Sequence, residues 1–180
     1  MSKTLLVTGG TGSFGNAVVK KFLNSKTYSE VRIFSRDESK QDKMAQEYNN
    51  SKLSFYLGDI RDEERIKHVS KGVDVIFHAA ALKIVPSCEN ATWETIKTNI
   101  IGSKNVIEAA ISNKIKNLTL LSTDKSVYPI NTMGMTKALV EKMALSVDFP
   151  DKTNINCVRY GNVLGSRGSL LPLIVSQIQM

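Results

Sequence analysis

Gly9, Gly12 and Gly15 stand at intervals of three directly after an apolar run, in LLVTGGTGSFG, a spacing suited to holding a pyrophosphate. Glycine permits the tight turn and the close approach of backbone to anion, and a helix starting there offers unpaired N–H groups at its positive end. Thr11, Ser13 and Phe14 complete the loop. About 20 residues further on, where such folds read the adenosine ribose, a second apolar run ends Phe34-Ser35-Arg36-Asp37. A hydroxyl and a guanidinium fork there favour a dinucleotide carrying a 2′-phosphate, so NADP is the expected cofactor. Asp37 keeps NAD open, because a shift of one residue presents a carboxylate to a free ribose hydroxyl; a solvated Arg36–Asp37 pair is the plainer alternative.

Two further clusters follow apolar runs. In Gly58-Asp59-Ile60 the Asp59 carboxylate is placed to meet an adenine amino group while Ile60 covers the ring, although Asp59 as the cap of the next helix fits as well. In His78-Ala79-Ala80-Ala81 the small residues suit a backbone passing close to a cofactor, and His78 reads as a hydrogen-bonded structural histidine.

The elements that must position these groups are legible as an alternation. Runs rich in Val, Ile and Phe at 4–8, 31–34, 53–57, 73–77, 117–121 and 154–160 predict strands, and 13–24, 37–48, 62–69, 92–112 and 132–147 carry helical spacing, the last capped by Asn131 or Thr132. Parallel strands joined by helical crossovers need cover on both faces, so the expected fold is α/β, a Rossmann-like doubly wound sheet in the order 3-2-1-4-5-6. Ligands then bind beyond the carboxyl ends of the strands. The expected organisation is a dinucleotide-binding domain over 1–165, with 166–180 starting a substrate region. The closing LLPLIVSQIQM reads as a helix with nothing yet to pack against, and suggests a fragment.

Composition narrows the classes. In 180 residues, 42% hydrophobic and 23% charged, 24 Lys and Arg against 17 Asp and Glu give a net charge of +7, which suits phosphorylated ligands. No basic block is interleaved with aromatics, so nucleic acid is not an expected partner. The apolar run at the N-terminus is too short for a signal-peptide core and no run approaches a membrane span, so a cytoplasmic setting is expected. Cys88 and Cys157, with His68 and His78, lack ligand spacing, and no metal is expected.

Taken together, TGGTGSFG, GDIRD, HAAALK, TNIIGSKNV and STDK resemble the extended short-chain dehydrogenase/reductase superfamily over nearly the whole chain. HAAALKIVPSCE, LSTDKSVYPINTMGMTK and RYGNVLGSRGSLLP are similar to the nucleotide-sugar 4,6-dehydratases of bacterial surface-polysaccharide synthesis, above all the capsular dehydratase/5-epimerase subgroup. That resemblance implies UDP-N-acetylglucosamine as substrate, NADP as cofactor and a homo-oligomer. A nucleotide-sugar 4-epimerase or reductase of the same superfamily, and a non-catalytic NADP-binding sensor, are the alternatives.

The resemblance also carries residues. The superfamily pairs a Tyr with a Lys four residues on, and this chain has Met133 and Lys137 there. A thioether has no exchangeable proton, so the proton work moves elsewhere, while Lys137 keeps its place for the nicotinamide ribose. Ser122-Thr123-Asp124-Lys125 lies just beyond the fifth strand, and Asp124 with Lys125 is the expected acid/base pair. Lys125, held neutral by burial and nearby positive charge, takes the C5 proton; Asp124, protonated, gives one to the leaving C6 hydroxyl; Thr123 polarises the C4 oxygen. A capping turn with an incidental ion pair is the other reading. Tyr128 is a weaker stand-in for the missing tyrosine. Lys83 is expected near both ligands, Asn99 at a structural water or strand backbone close to the cofactor, and Tyr160, Asn162 and Val163 beside the nicotinamide, with Asn162 beginning the sugar site. Arg167 and Ser169 are expected in a loop that contacts the diphosphate.

Overall fold

The computed structural model describes residues 3–146 and 153–165, with the pairs 174–175 and 177–178. The elements run β1 (Lys3–Thr8), α1 (Ser13–Leu23), β2 (Tyr28–Ser35), α2 (Glu38–Tyr48), β3 (Leu53–Leu57), α3 (Glu63–Val69), β4 (Val75–His78), α4 (Val85–Asn90) and α5 (Thr92–Ile96). A π-helical stretch, Lys97–Ile101, leads into α6 (Gly102–Ser112), followed by β5 (Asn117–Leu121), a 3₁₀ turn (Asp124–Ser126), α7 (Thr132–Ser146) and β6 (Asn154–Val158). All strand pairs are parallel, and the order is β3-β2-β1-β4-β5-β6, the doubly wound arrangement the alternation predicts.

Side chains alternate between two cores. Leu5, Val7, Val31 and Ile33 face α1 and α2, where Val18, Val19, Leu23 and Met44 cover them. Leu6, Phe34, Ile76, Leu118 and Leu120 face the opposite way, under Ile66 and Val69 of α3, Val106 and Ala110 of α6, and Val140 and Ala144 of α7. Burial on both faces explains why β1 is an unbroken apolar run rather than an alternating one.

The differences from expectation have local causes. Helix α4 carries Pro86 in its first turn and is too short to show a periodicity. The π-helical stretch interrupts the expected long helix and buries Thr98 and Asn99. Strand β6 ends at Val158, although backbone pairing continues one step past it, Tyr160 O accepting from Asp124 N at 3.0 Å. Asn131 caps α7, its Oδ1 accepting from Gly134 N at 2.8 Å. The expected start of the substrate region, with Arg167 and Ser169, lies outside the described residues apart from the two pairs.

Candidate active site

The carboxyl ends of the strands open on a cleft of about 1260 Å³. That exceeds the usual range for one drug-sized ligand, about 300–1,000 Å³, and suits an extended one. Gly9, Thr11, Gly12, Ser13, Phe14 and Gly15 line it with Ser35, Arg36, Asp59, Ile60, Ala79, Ala80, Ala81, Lys83, Thr123, Lys125, Lys137, Tyr160, Asn162 and Val163. The fold thus gathers most of the residues singled out from sequence into one groove.

The glycine loop is held in place on steric grounds. Gly9 has φ 68°, and a Cβ there would lie 2.7 Å from Ala80 N and 2.9 Å from Ala79 C. The loop therefore rests on the backbone of the turn after β4, and only a residue without a Cβ fits at Gly9. Phe14, at the start of α1, stacks on Phe77 of β4 at 5.7 Å and on Tyr160 at 5.5 Å. Burial raises the Tyr160 phenol above its ordinary range.

At the far end of the cleft, Gln41 Nε2 reaches Ser35 O at 3.1 Å, Ser35 Oγ at 3.0 Å and Tyr56 O at 2.9 Å, fixing the ends of β2 and β3. Arg36 Nη1 donates to Asp59 Oδ2 at 3.4 Å. Asp37 caps α2 by accepting from Lys40 N at 3.0 Å and pairs with Lys40 Nζ, so its carboxylate is engaged at the helix start. Asp59 does not cap α3; Asp62 does, accepting from Arg65 N at 2.9 Å. Asp59 instead receives Arg61 N at 2.9 Å and Arg61 Nη2 at 2.7 Å. Partial burial works to raise its carboxyl, but these bonds outweigh it and the net shift is downward. Ile60 belongs to the core under Gly102 and shows the cleft only an edge.

The other end is held by buried polar groups. His78 Nδ1 lies 2.6 Å from Thr8 Oγ1 and its Nε2 lies 3.0 Å from Ser103 Oγ. Burial, helped by nearby Lys137, lowers its pKa to about 3, so it is a neutral structural histidine. Lys137 Nζ donates to Leu121 O at 2.8 Å, and burial lowers its pKa to about 8. Met133, one turn earlier on α7, is buried and lines the cleft where the superfamily's tyrosine is expected.

Thr123 begins the 3₁₀ turn, accepting from Lys125 N at 3.3 Å, so the capping reading of this segment is physically present. The turn also holds an ion pair: Lys125 Nζ reaches Asp124 Oδ1 at 3.1 Å and Asn162 Oδ1 at 3.1 Å. Two points differ from expectation. The charge nearest to Lys125 is a carboxylate, not a cation, and the bonds from Lys125 and then Thr123 hold the exposed Asp124 carboxyl below the usual carboxylate range. Thr123 and Lys125 line the cleft, whereas Asp124 stands behind them. Asn99 does not line it either: fully buried, it accepts from Leu82 N at 2.8 Å and donates to Leu82 O and Thr136 Oγ1, both at 3.0 Å. It holds the backbone of the loop after β4 rather than that of a strand, and its polar atoms are taken up by protein. Tyr128 is 86% exposed and off the cleft.

Sequence reasoning missed the support beneath this turn. Glu141 on α7 accepts from Ser122 Oγ, from Ser126 Oγ at 2.8 Å, and from Arg159 Nε at 3.0 Å and Nη2 at 2.6 Å. Arg159, then the serines, draws its pKa down to about 2 against the effect of burial. Gly134 matters for contact: a Cβ there would lie 2.4 Å from Lys125 O, so α7 rests directly on the turn. The available signal was spacing, since Glu141 follows Lys137 by one helical turn. Among the described residues no group of His, Cys, Asp and Glu could hold a metal, and no helix is long and apolar enough to cross a membrane.

Residues 5–180 match the family described as polysaccharide biosynthesis protein. The chain is 53% identical to a protein named UDP-glucose 4-epimerase from Rickettsia prowazekii, over 99% of its own length and 54% of the relative's. It thus spans about half the length of the curated relatives it matches. Among solved structures, Pen from Bacillus thuringiensis superposes with a TM-score of 0.95 at 36% identity, over 99% of this chain and 56% of that one. The dTDP-glucose 4,6-dehydratase DesIV from Streptomyces venezuelae, solved with NAD and TYD bound, has a TM-score of 0.86 at 22% identity, over 98% of this chain and 62% of that one, and shows the same fold.

Proposed function

This chain belongs to the polysaccharide biosynthesis protein family, and from that premise we propose that it is the dinucleotide-binding part of an NADP-dependent enzyme dehydrating UDP-N-acetylglucosamine across C5 and C6, with inversion at C5. In this reading residues 1–165 form the cofactor domain and 166–180, with Arg167 and Ser169 for the diphosphate, begin the substrate region of a homo-oligomer. The observation that carries it is Lys125 on the cleft wall with Asp124 paired to it from behind at 3.1 Å, in a chain with Met133 where the superfamily keeps its tyrosine.

The cradle of Gly9 to Gly15 holds the pyrophosphate, and Ser35 and Arg36, with Lys40 beside them, take the 2′-phosphate; Asp37 is engaged as a cap. When bound, the cofactor supplies a hydride acceptor for C4 of the sugar and returns the hydride at C6. Lys137 holds the ribose, Thr123 bonds the C4 oxygen, and Lys83 and Asn162 face the sugar. Covering the cleft with substrate removes water, which weakens the case for separated charges. One proton crossing from Lys125 to Asp124 then leaves an amine and a carboxylic acid. The amine removes the C5 proton, acidified by the adjacent ketone, and Asp124 protonates the departing C6 hydroxyl as water. The two side chains end as the ion pair they began as, and the proton shed by the C4 hydroxyl on oxidation is balanced by one taken up at C5, from the opposite face, once hydride has reached C6.

A second reading, 4-epimerisation of a UDP-hexose, is favoured by the name of the Rickettsia relatives. The two part after oxidation at C4. A longer chain extending past residue 180, incubated with UDP-N-acetylglucosamine in deuterated water, is expected to give a 4-keto-6-deoxy sugar with deuterium at an inverted C5, read by NMR. A product inverted at C4 with its C6 hydroxyl intact replaces this reading with the second, and no turnover of either sugar removes both.

A further inference from the structure

We propose that Glu141, clamped to Arg159, is a positioning residue that sets the Lys125 amine against the Asn162 segment, and so against the sugar. The inference rests on the role given above to Lys125 and adds to it a residue that touches no ligand.

The donors on Glu141 come from three parts of the chain. Ser122 follows β5, Ser126 closes the 3₁₀ turn, and Arg159 follows β6. Between the two serines lie Thr123, Asp124 and Lys125, so the carboxylate grips that turn at both ends. Ser126 Oγ also lies 2.6 Å from Thr123 O, and its single proton is shared between that carbonyl and Glu141. Immediately after Arg159, Tyr160 O accepts from Asp124 N at 3.0 Å, and Asn162 Oδ1 meets Lys125 Nζ at 3.1 Å. One side chain thus sets both partners of the Lys125–Asn162 contact. Glu141 itself is 9% exposed and does not line the cleft.

The charge is required, not only the shape. A glutamine in the same place can accept from the serines but cannot take the guanidinium fork of Arg159 on two oxygens. The charge also reaches Lys137, one turn away, and opposes the lowering that burial causes there. The other titratable group acting on Lys137 is Cys157 of β6; His78 of β4, also nearby, is neutral where Lys137 titrates. Removing the negative charge therefore moves the Lys137 titration further down, a change that mere loosening of the fold does not produce.

The test has two arms. In this chain, amide hydrogen exchange compares wild type with Glu141→Gln and Ser126→Ala, following Ser122 and Asp124, whose N–H groups bond Val158 O and Tyr160 O. Exchange at these two sites is expected to rise about tenfold or more in Glu141→Gln, corresponding to a local loss of about 1.4 kcal/mol, with strand β1 unchanged. In the longer chain, kcat for the sugar is expected to fall about 10–100-fold with KM little altered, and the inflection of the pH profile that belongs to Lys137, at about 8 in wild type, to move downward. Wild-type exchange at Asp124 together with wild-type kcat overturns the proposal, as does a uniform rise over the whole sheet. If the wild-type longer chain turns over no sugar, the function proposed above fails, while the exchange arm still decides whether Glu141 positions the turn.

Discussion

The two ends of the cleft handle charge in opposite ways. At the end beside β2 and β3, Arg36, Asp59, Arg61, Glu94 and Lys97 form a chain of ion pairs with side chains 21–52% exposed. At the other end, His78, Lys137 and Glu141 are buried, each with partners of its own. Exposed pairs are screened and contribute about 0–1 kcal/mol each, so Arg36 can leave Asp59 for a phosphate at small cost. Buried charges are expensive unless hydrogen-bonded, and removing a partner leaves the remainder stranded. The first end is thus built to exchange partners on binding, and the second to hold a geometry already made.

The sharpest break in that comparison comes from Lys125→Ala. We expect kcat of the longer chain to fall about 10³-fold, the range of a general base, with NADP affinity of this chain unchanged by fluorescence titration; a rate within tenfold of wild type removes the proposed base. Next, His78→Leu should cost about 2–3 kcal/mol by urea denaturation, because Thr8 and Ser103 lose a buried partner. A loss below about 0.5 kcal/mol makes this end no stiffer than the surface.

The same histidine sharpens the comparison through pH. Its folded pKa, about 3, lies below the ordinary 6.5, so its stability contribution is full above pH 6.5 and is lost as pH falls towards 3. In that window the unfolded chain binds the extra proton, and stability declines by about 1.4 kcal/mol per pH unit, a slope absent in His78→Leu. Glu141, at about 2 against an ordinary 4.5, adds a second decline from pH 4.5 towards 2, which Glu141→Gln lacks. The smallest effect belongs to the exposed end: Arg36→Ala should weaken NADP about tenfold while leaving NAD unchanged, and equal loss for both means that Arg36 does not read the 2′-phosphate.

Much of the cleft could be read from sequence because its signals are local. GGTGSFG joins a turn, a close approach and a helix start within seven residues, with Gly9 resting on the backbone of Ala79 and Ala80. The carboxylates were harder. Asp37, Asp59 and Asp62 all follow strands and precede helical segments, and either capping or ligand contact fits such a position. Arg61 and Arg36 draw Asp59 to the cleft, while Asp37 and Asp62 cap helices. Asn99 was legible as a buried anchor only once Leu82 was seen to pass within bonding distance of it.

By itself, then, the sequence determined the alternation of strands and helices, the phosphate cradle, and the presence of Lys125, Lys137 and Met133 in one stretch of chain. These follow from periodicity and from the backbone demands of single residues, which act over a few positions. Tertiary structure decided which charges are buried and what each one meets. Lys125 finds Asn162 37 residues away, and Glu141 finds Arg159 18 residues away, only because β5 and β6 are neighbours and α7 lies across their ends. The ionisation and reach of a side chain depend on donors and solvent brought by other elements, and no local pattern encodes them.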